Sequence, residues 1–310
     1  MDKKIELAII GAGIAGVSAA IYAKRSGLDF VIFESAAVGG QLLLMKGIDN
    51  YPGLEMGTEG SVLAANLSKT LSDLGIKVVN EKIRKVDIEK EIIKLHTDNC
   101  IYSAKSAIVA TGASFKKLGV EGEARLSGKG VSYCAVCDGF FFRNKDIAVI
   151  GGGNAAVEEA LYLAEIAKKV TLIHRRDKLR ALEYLQKNLF SKDNIEVLFD
   201  SVVKQINGEK MVSDVTVQNV NTQSTKTLNL QGVFVAIGVN PNTTLFGEVV
   251  SLDDKGFIIT DEQMQTSSKL IWACGDCRKR PLRQLITAAS EGAISAIGAY
   301  KFLKGHYISS

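Results

Sequence analysis

Gly11-Ala12-Gly13-Ile14-Ala15-Gly16 and Gly151-Gly152-Gly153-Asn154-Ala155-Ala156 are two copies of one pattern, a glycine-rich turn set between an apolar run and a helix-period stretch. The first copy follows the β-branched run Ile5 to Ile10 and leads into Val17 to Arg25. The second follows Ile147 to Ile150 and leads into Val157 to Lys168. Strand, turn and helix in that order are the context in which G-x-G-x-x-G/A marks a dinucleotide-binding unit. The first two glycines let the backbone turn tightly and approach a pyrophosphate, and the small third residue, Gly16 or Ala156, lets helix pack on strand. The pyrophosphate then meets the free N–H groups of a helix N-terminus. Two copies in matching context predict an α/β chain with two Rossmann-like dinucleotide-binding domains.

The copies differ where the second strand of each unit ends. Twenty-three residues after Gly11 stands Glu34, and at the same offset from Gly151 stands His174. An acid at this point accepts hydrogen bonds from ribose hydroxyls, as in FAD or NAD, and repels the extra phosphate of NADP. The second unit instead offers His174-Arg175-Arg176 and, a turn later, Arg180. Guanidinium forks suit a phosphate better than lysine does, so this unit reads as an NADP site.

The length of 310 residues suggests about two domains, and a hydrophobic content of 46% with only three prolines can bury a substantial core. A net charge of +4 is too small and too dispersed to predict nucleic-acid binding, although Arg278-Lys279-Arg280-Pro281-Leu282-Arg283 is a local basic cluster. The N-terminal apolar run is interrupted by Glu6 and ended by Gly11, so no signal peptide is expected. No uninterrupted apolar stretch is long enough for a bilayer. The expectation is a cytoplasmic protein without membrane or nucleic-acid partners.

Val109-Ala110-Thr111-Gly112-Ala113 and Val235-Ala236-Ile237-Gly238 are matching strand ends followed by glycine, and each closes one nucleotide unit. The chain is expected to cross between domains just after each. This divides it into residues 1–116 and 243–310, which form one domain, and residues 117–242, inserted as the second. Ile83 to Leu95 and Val212 to Val220 alternate like antiparallel strands, consistent with small sheets appended to each unit. That arrangement is a three-layer ββα architecture.

Five cysteines include two C-x-x-C pairs, Cys134/Cys137 and Cys274/Cys277, with Cys100 alone. In a chain without a secretory signal such pairs mean redox chemistry or metal more often than structural bridges. A four-thiolate zinc site brings its halves within roughly 15 to 20 residues, and these pairs lie much further apart, so no metal is expected. Two cysteines separated by two residues can form a readily reducible ring, and the thiol of such a motif often ionises well below its usual pKa of ~8.5.

Read together, GAGIAG at Gly11, GGQL at Gly39, NYPG at Asn50, CAVCDG at Cys134, GGGNAAVEEA at Gly151, HRRDKLR at His174 and CGDC followed by PLRQ at Cys274 resemble the low-molecular-weight thioredoxin reductases over essentially the whole chain. The resemblance implies FAD in the first domain and NADPH in the second. It implies electron flow from NADPH through flavin and the Cys134/Cys137 pair to thioredoxin, and a homodimer. Carried over residue by residue, Gly11, Gly13, Gly16 and Glu34 would hold the ADP half of FAD. Gly40, Gln41, Leu42, Asn50 and Ala110 would lie along the rest, and Asp276 would bind the ribityl chain. Arg283 and Gln284 would open a helix aimed at the pyrimidine end of the flavin, where a helix N-terminus favours negative charge. Gly153, Asn154, His174, Arg175, Arg176 and Arg180 would take NADPH. Asp138, beside the second cysteine in a partly desolvated site with a raised pKa, is assigned as general acid.

Ile14 stands where this family often has proline and Val136 where it often has threonine, and neither removes a group the chemistry needs. Cys274 and Cys277 flank the flavin-side Gly275-Asp276 where small apolar residues are usual. They read as two small buried thiols, with a second redox pair as the alternative. The redox cysteines share a domain with the nicotinamide fingerprint, which predicts rotation of that domain on the crossings near Gly112 and Gly238. A flavin dithiol oxidase or a ferredoxin-fed reductase would need no basic ribose pocket. His174, Arg175, Arg176 and Arg180 count against both. Which cysteine attacks the partner is left open by the sequence.

Overall fold

The run through Ile10 forms a strand, Asp2–Ile10, at the middle of a mostly parallel sheet. Phe30–Phe33 pairs with it on one side, Ile10 opposite Phe33, and Ile101–Val109 on the other, Ile10 opposite Val109. Val78–Val79 lies outside Phe30–Phe33. The long Ile101–Val109 strand is shared: its second half pairs in parallel with Ile271–Ala273, and its first half pairs antiparallel with the hairpin Lys85–Glu89/Ile92–His96. Successive residues of a strand face opposite sides, and here both sides are covered. Leu7 and Ile9 pack with Val17, Ala20, Ala288 and Ala296 of helices Ile14–Arg25 and Leu285–Lys304, while Ala8 and Ile10 pack with Ile93, Leu95 and Phe246.

The second sheet repeats the plan. Asp146–Ile150 lies between Lys169–Ile173 and Gly232–Val235, with Ile195–Leu198 and Val131–Ser132 at the edges, all parallel. Val149 faces Val157, Ala160 and Leu163 of helix Asn154–Ala164. Ala148 and Ile150 face Val203, Val215 and Val217 of an antiparallel sheet formed by Ser201–Asn207, Asp214–Asn219 and Thr225–Asn229. The helix-period stretch expected to reach Lys168 stops at Ala164. Ile166 and Ala167 continue the apolar pattern, but both their N–H groups turn back to the Leu163 carbonyl and Lys169 begins the next strand.

This computed structural model describes residues 2–45 and 47–305. It divides into two compact units, residues 1–114 with 240–310 and residues 115–239. Strands Ala113–Phe115 and Val239–Pro241, where the chain passes from one unit to the other, pair as a two-stranded ribbon. No helix among the described residues is long and apolar enough to cross a membrane.

Candidate functional site

In the 115–239 unit the edge strand Val131–Ser132 delivers the chain to Cys134, which caps a one-turn helix, Ala135–Asp138. Cys134 and Cys137 form a disulfide. The Cys137 N–H donates to Cys134 Sγ at 3.2 Å and the Asp138 N–H to the Cys134 carbonyl at 3.1 Å. Asp138 sits directly after the pair, and its Oδ2 accepts the Ser132 hydroxyl at 2.6 Å. The same hydroxyl oxygen accepts the Cys134 N–H at 3.1 Å. Gly139 lets this turn lie against helix Asn154–Ala164: a Cβ there would come within 3.2 Å of Leu163 and Tyr162. Both cysteines are half-buried, and Val136, Phe140 and Phe141 around them are exposed. The turn that carries the bridge is thus partly exposed, with apolar side chains on its surface.

The glycine turn of the same unit has one closed side and one open side. A Cβ on Gly151 would meet the Ala236 carbonyl oxygen at 2.5 Å and one on Gly152 the His174 ring at 2.2 Å, whereas one on Gly153 would meet nothing within 4 Å. Gly153 is the uncapped N-terminus of helix Asn154–Ala164, so its first N–H groups face that open side. Arg175, Arg176 and Arg180 are exposed beyond it, and the Arg180 N–H is tied to the Gly152 carbonyl at 2.7 Å. Asn154 Oδ1 accepts the Leu182 N–H at 2.9 Å, fixing the segment that carries Arg180. His174 differs from its arginine neighbours: it is buried under the turn, its Nε2 is 3.1 Å from the Lys178 carbonyl, and burial holds its pKa down. The ring fills the space beneath the turn that a side chain on Gly152 would need.

The other unit builds the matching turn more tightly. Gly11 takes a positive φ of 107°, and a Cβ on Gly16 would stand 1.8 Å from the Gly11 carbonyl oxygen, so helix and turn touch backbone to backbone. Ala110 backs the turn, its carbonyl oxygen 2.4 Å from where a Gly11 Cβ would be. A Cβ on Gly13 meets nothing within 4 Å. Glu34 accepts the Ala12 N–H at 2.8 Å and those of Ser35 and Ala36 at 2.8 and 2.9 Å, which holds the carboxylate at the strand end. Gly40 approaches Gly13 in the bridge between Gly13 and Gly39. Leu42 is buried, and the Gln41 amide donates to the Ala113 carbonyl. Asn50 donates to Gln284 at 3.0 Å, and Gln284 caps helix Leu285–Lys304 with Thr287 in a capping box.

Asp276 Oδ1 is buried without a hydrogen-bond partner among the described residues, 3.5 Å from Arg280, and burial raises the Asp276 pKa. Arg283 lies over the Phe257 ring at 4.2 Å with its Nε likewise buried and unpartnered. An open glycine turn, an acid at the ribose position and an orphaned carboxylate oxygen fit a dinucleotide with a polyhydroxyl chain. Glu291 is the residue that sequence reading missed. It accepts the Gly275 N–H at 2.8 Å and guanidinium N–H groups of Arg278 and Arg280 at 2.7 and 3.2 Å, which anchors the Asp276 turn. Its signal was the lone acid of helix Leu285–Lys304, set among small and apolar residues a turn and a half from its start.

Cys274 and Cys277 are fully buried free thiols on opposite faces of the first sheet. Burial pushes Cys277 up to about 11 and Cys274 well above an ordinary thiol. No group of three or more metal-ligating side chains occurs among the described residues.

A family model for the pyridine nucleotide-disulphide oxidoreductases matches residues 5–292. The chain belongs to this family. Among pyridine nucleotide-disulphide oxidoreductases it is similar to a thioredoxin reductase of Rickettsia typhi, 43% identical over 98% of this chain and 99% of the relative. It is also similar to one of Peptoclostridium acidaminophilum, 38% identical over 99% of each. The crystal structure of a thioredoxin reductase from Streptococcus pyogenes matches with a TM-score of 0.94 at 42% identity, covering 99% of this chain and all of that one. The resemblance read from the motifs is therefore a family relationship across the whole chain.

Proposed function

We propose that this chain is an NADPH-dependent thioredoxin-disulfide reductase. The observation that carries the reading is the Cys134–Cys137 disulfide on a solvent-reachable turn, in the same compact unit as an arginine-flanked nucleotide turn. Residues 1–116 and 243–310 form the FAD-binding domain and residues 117–242 the NADPH-binding domain; the division into two compact units a few residues from those limits supports this. Gly11, Gly13, Gly16, Glu34, Gly40, Gln41, Leu42, Asn50, Ala110, Asp276, Arg283 and Gln284 hold FAD. Gly153, Asn154, His174, Arg175, Arg176 and Arg180 hold NADPH.

Bound FAD supplies a relay that takes two electrons from a nicotinamide and gives them to a disulfide. The protein's part is to orient and to move protons. Asp276 offers an oxygen that lacks a hydrogen-bond partner among the described residues to a ligand hydroxyl, and the N-terminus of helix Leu285–Lys304 sets the positive end of its dipole toward developing negative charge. Once the pair is reduced, one thiolate attacks the partner's disulfide and Asp138 protonates the sulfur that leaves. The exposed Val136, Phe140 and Phe141 offer an apolar landing for a protein substrate. Exposed Ile286, Ile294 and Ile297 on one stripe of helix Leu285–Lys304 support a homodimer, and three free thiols suit the cytoplasm.

The test is steady-state reduction of a disulfide thioredoxin by the flavin-loaded protein with NADPH and with NADH. Fast turnover with NADPH and at least tenfold less with NADH is expected. Flavin bleached by NADPH with thioredoxin left oxidised would overturn the partner, and no bleaching would overturn the NADPH site.

A further inference from the structure

We propose that Ser132 is a positioning residue for the thiol–disulfide step, holding Asp138 and the Cys134 amide in one arrangement whether the disulfide is closed or open. The inference rests on the reading of Asp138 as proton donor.

Asp138 is the last residue of a four-residue helix, too short to fix a side chain by its own hydrogen bonds. Ser132 is placed differently. It belongs to a sheet, paired in parallel opposite Phe234, and is only 4% exposed. Its hydroxyl has one proton and two acceptors in reach, Asp138 Oδ2 at 2.6 Å and the Cys134 carbonyl at 3.4 Å. The shorter bond, to the Asp138 carboxyl oxygen, takes it. A lone pair of the same oxygen receives the Cys134 N–H at 3.1 Å. One buried side chain thus joins the residue before the catalytic turn, the first cysteine and the acid after the second. While the disulfide is closed, the covalent bridge also holds this turn. When it opens, that constraint is lost and the Ser132 contacts remain.

In the reduced pair one sulfur is a thiolate, the other a thiol, and Asp138 carries a proton. The thiolate attacks a sulfur of the partner's disulfide: that S–S bond breaks, a mixed S–S bond forms, and the departing sulfur takes the Asp138 proton. The Asp138 carboxylate then removes the proton of the second enzyme thiol. The resulting thiolate attacks the enzyme sulfur of the mixed disulfide, the Cys134–Cys137 bond re-forms, and the released partner sulfur takes that proton. Two electrons and two protons pass to the partner. Asp138 acts twice, so an acid that drifts between rotamers slows both halves.

The experiment uses flavin-loaded protein reduced by NADPH and mixed with disulfide thioredoxin in single turnover, with bleaching of the flavin by NADPH as the control for an intact fold. Ser132→Ala is expected to slow disulfide transfer roughly tenfold. Asp138→Asn slows it more, and adding Ser132→Ala to Asp138→Asn costs nothing further, because the hydroxyl works through the carboxylate. The near-isosteric pair Ser132→Thr and Ser132→Val keeps the test alive if Ser132→Ala folds poorly: threonine should transfer at least fivefold faster than valine. Transfer by Ser132→Ala within twofold of the parent, full multiplication of the two losses in the double variant, or equal rates for threonine and valine would overturn the proposal. No effect of Asp138→Asn would instead remove the proton-donor reading beneath it.

Discussion

Each compact unit carries a glycine turn and a C-x-x-C, yet the two pairs of cysteines have opposite fates. Cys134 and Cys137 stand on an irregular turn at a sheet edge, half-buried, where successive sulfurs can meet and a partner can reach them. Cys274 and Cys277 follow the buried strand Ile271–Ala273, which sends one thiol into the core beneath the helices and the other into the core beneath the hairpin. The same spacing therefore yields a bridge in one unit and two packed thiols in the other. Spacing brings sulfurs near one another, but the backbone that carries them and its exposure decide the chemistry.

The difference can be broken most sharply by exchanging which pair is disabled. Cys134→Ser or Cys137→Ser should lower NADPH-dependent thioredoxin reduction by about 10³-fold or more, since no route for two electrons to a disulfide remains. Replacing Cys274 and Cys277 together by alanine should leave turnover within twofold. Loss in the second variant with flavin still bound would mean that the buried pair takes part.

A second expected effect separates the two nucleotide turns. Alanine at Arg175, Arg176 and Arg180 together should lower kcat/KM for NADPH by about 10²-fold, the worth of one or two charge-assisted hydrogen bonds to a phosphate, while the value for NADH changes little. Equal losses for both nucleotides would show that the arginines only shape the unit.

The turns also differ at their third small residue. Ala156 already carries the methyl that Gly16 lacks, and Gly16 has the Gly11 carbonyl where a Cβ would be. Gly16→Ala should destabilise the flavin unit by about 3 kcal/mol and release flavin, whereas Gly13→Ala, open on that side, should keep the fold and weaken flavin retention. Thermal unfolding with and without added FAD reads both. The smallest effect belongs to the buried thiols: Cys274→Ala should cost about 1–2 kcal/mol in urea unfolding, as a small cavity does, with flavin binding unchanged.

The sequence made the layers legible because both sheets are buried on two faces, so their strands read as apolar β-branched runs ended by glycine. Lys85–Glu89 and Ile92–His96 were visible as alternation for the converse reason: they are a hairpin with one covered face. What escaped was contact that only the folded backbone brings about. Nothing local tells that Glu291 bonds Gly275 and two arginines, or that Ser132 holds Asp138. His174 stands in the same basic run as the arginines, and nothing local tells that its ring lies buried against Gly152. The end of helix Asn154–Ala164 was missed because Ile166 and Ala167 keep the apolar period while the backbone already turns.

Electrons from NADPH are expected to open Cys134–Cys137 and to leave Cys274 and Cys277 untouched. Flavin-loaded protein should be treated without oxygen with NADPH or with buffer, alkylated under native conditions, and mapped by peptide mass. Label is expected on Cys134 and Cys137 only after NADPH, and on Cys274 and Cys277 in neither sample. Label on the buried pair, or an intact Cys134–Cys137 bridge after NADPH has bleached the flavin, would contradict it.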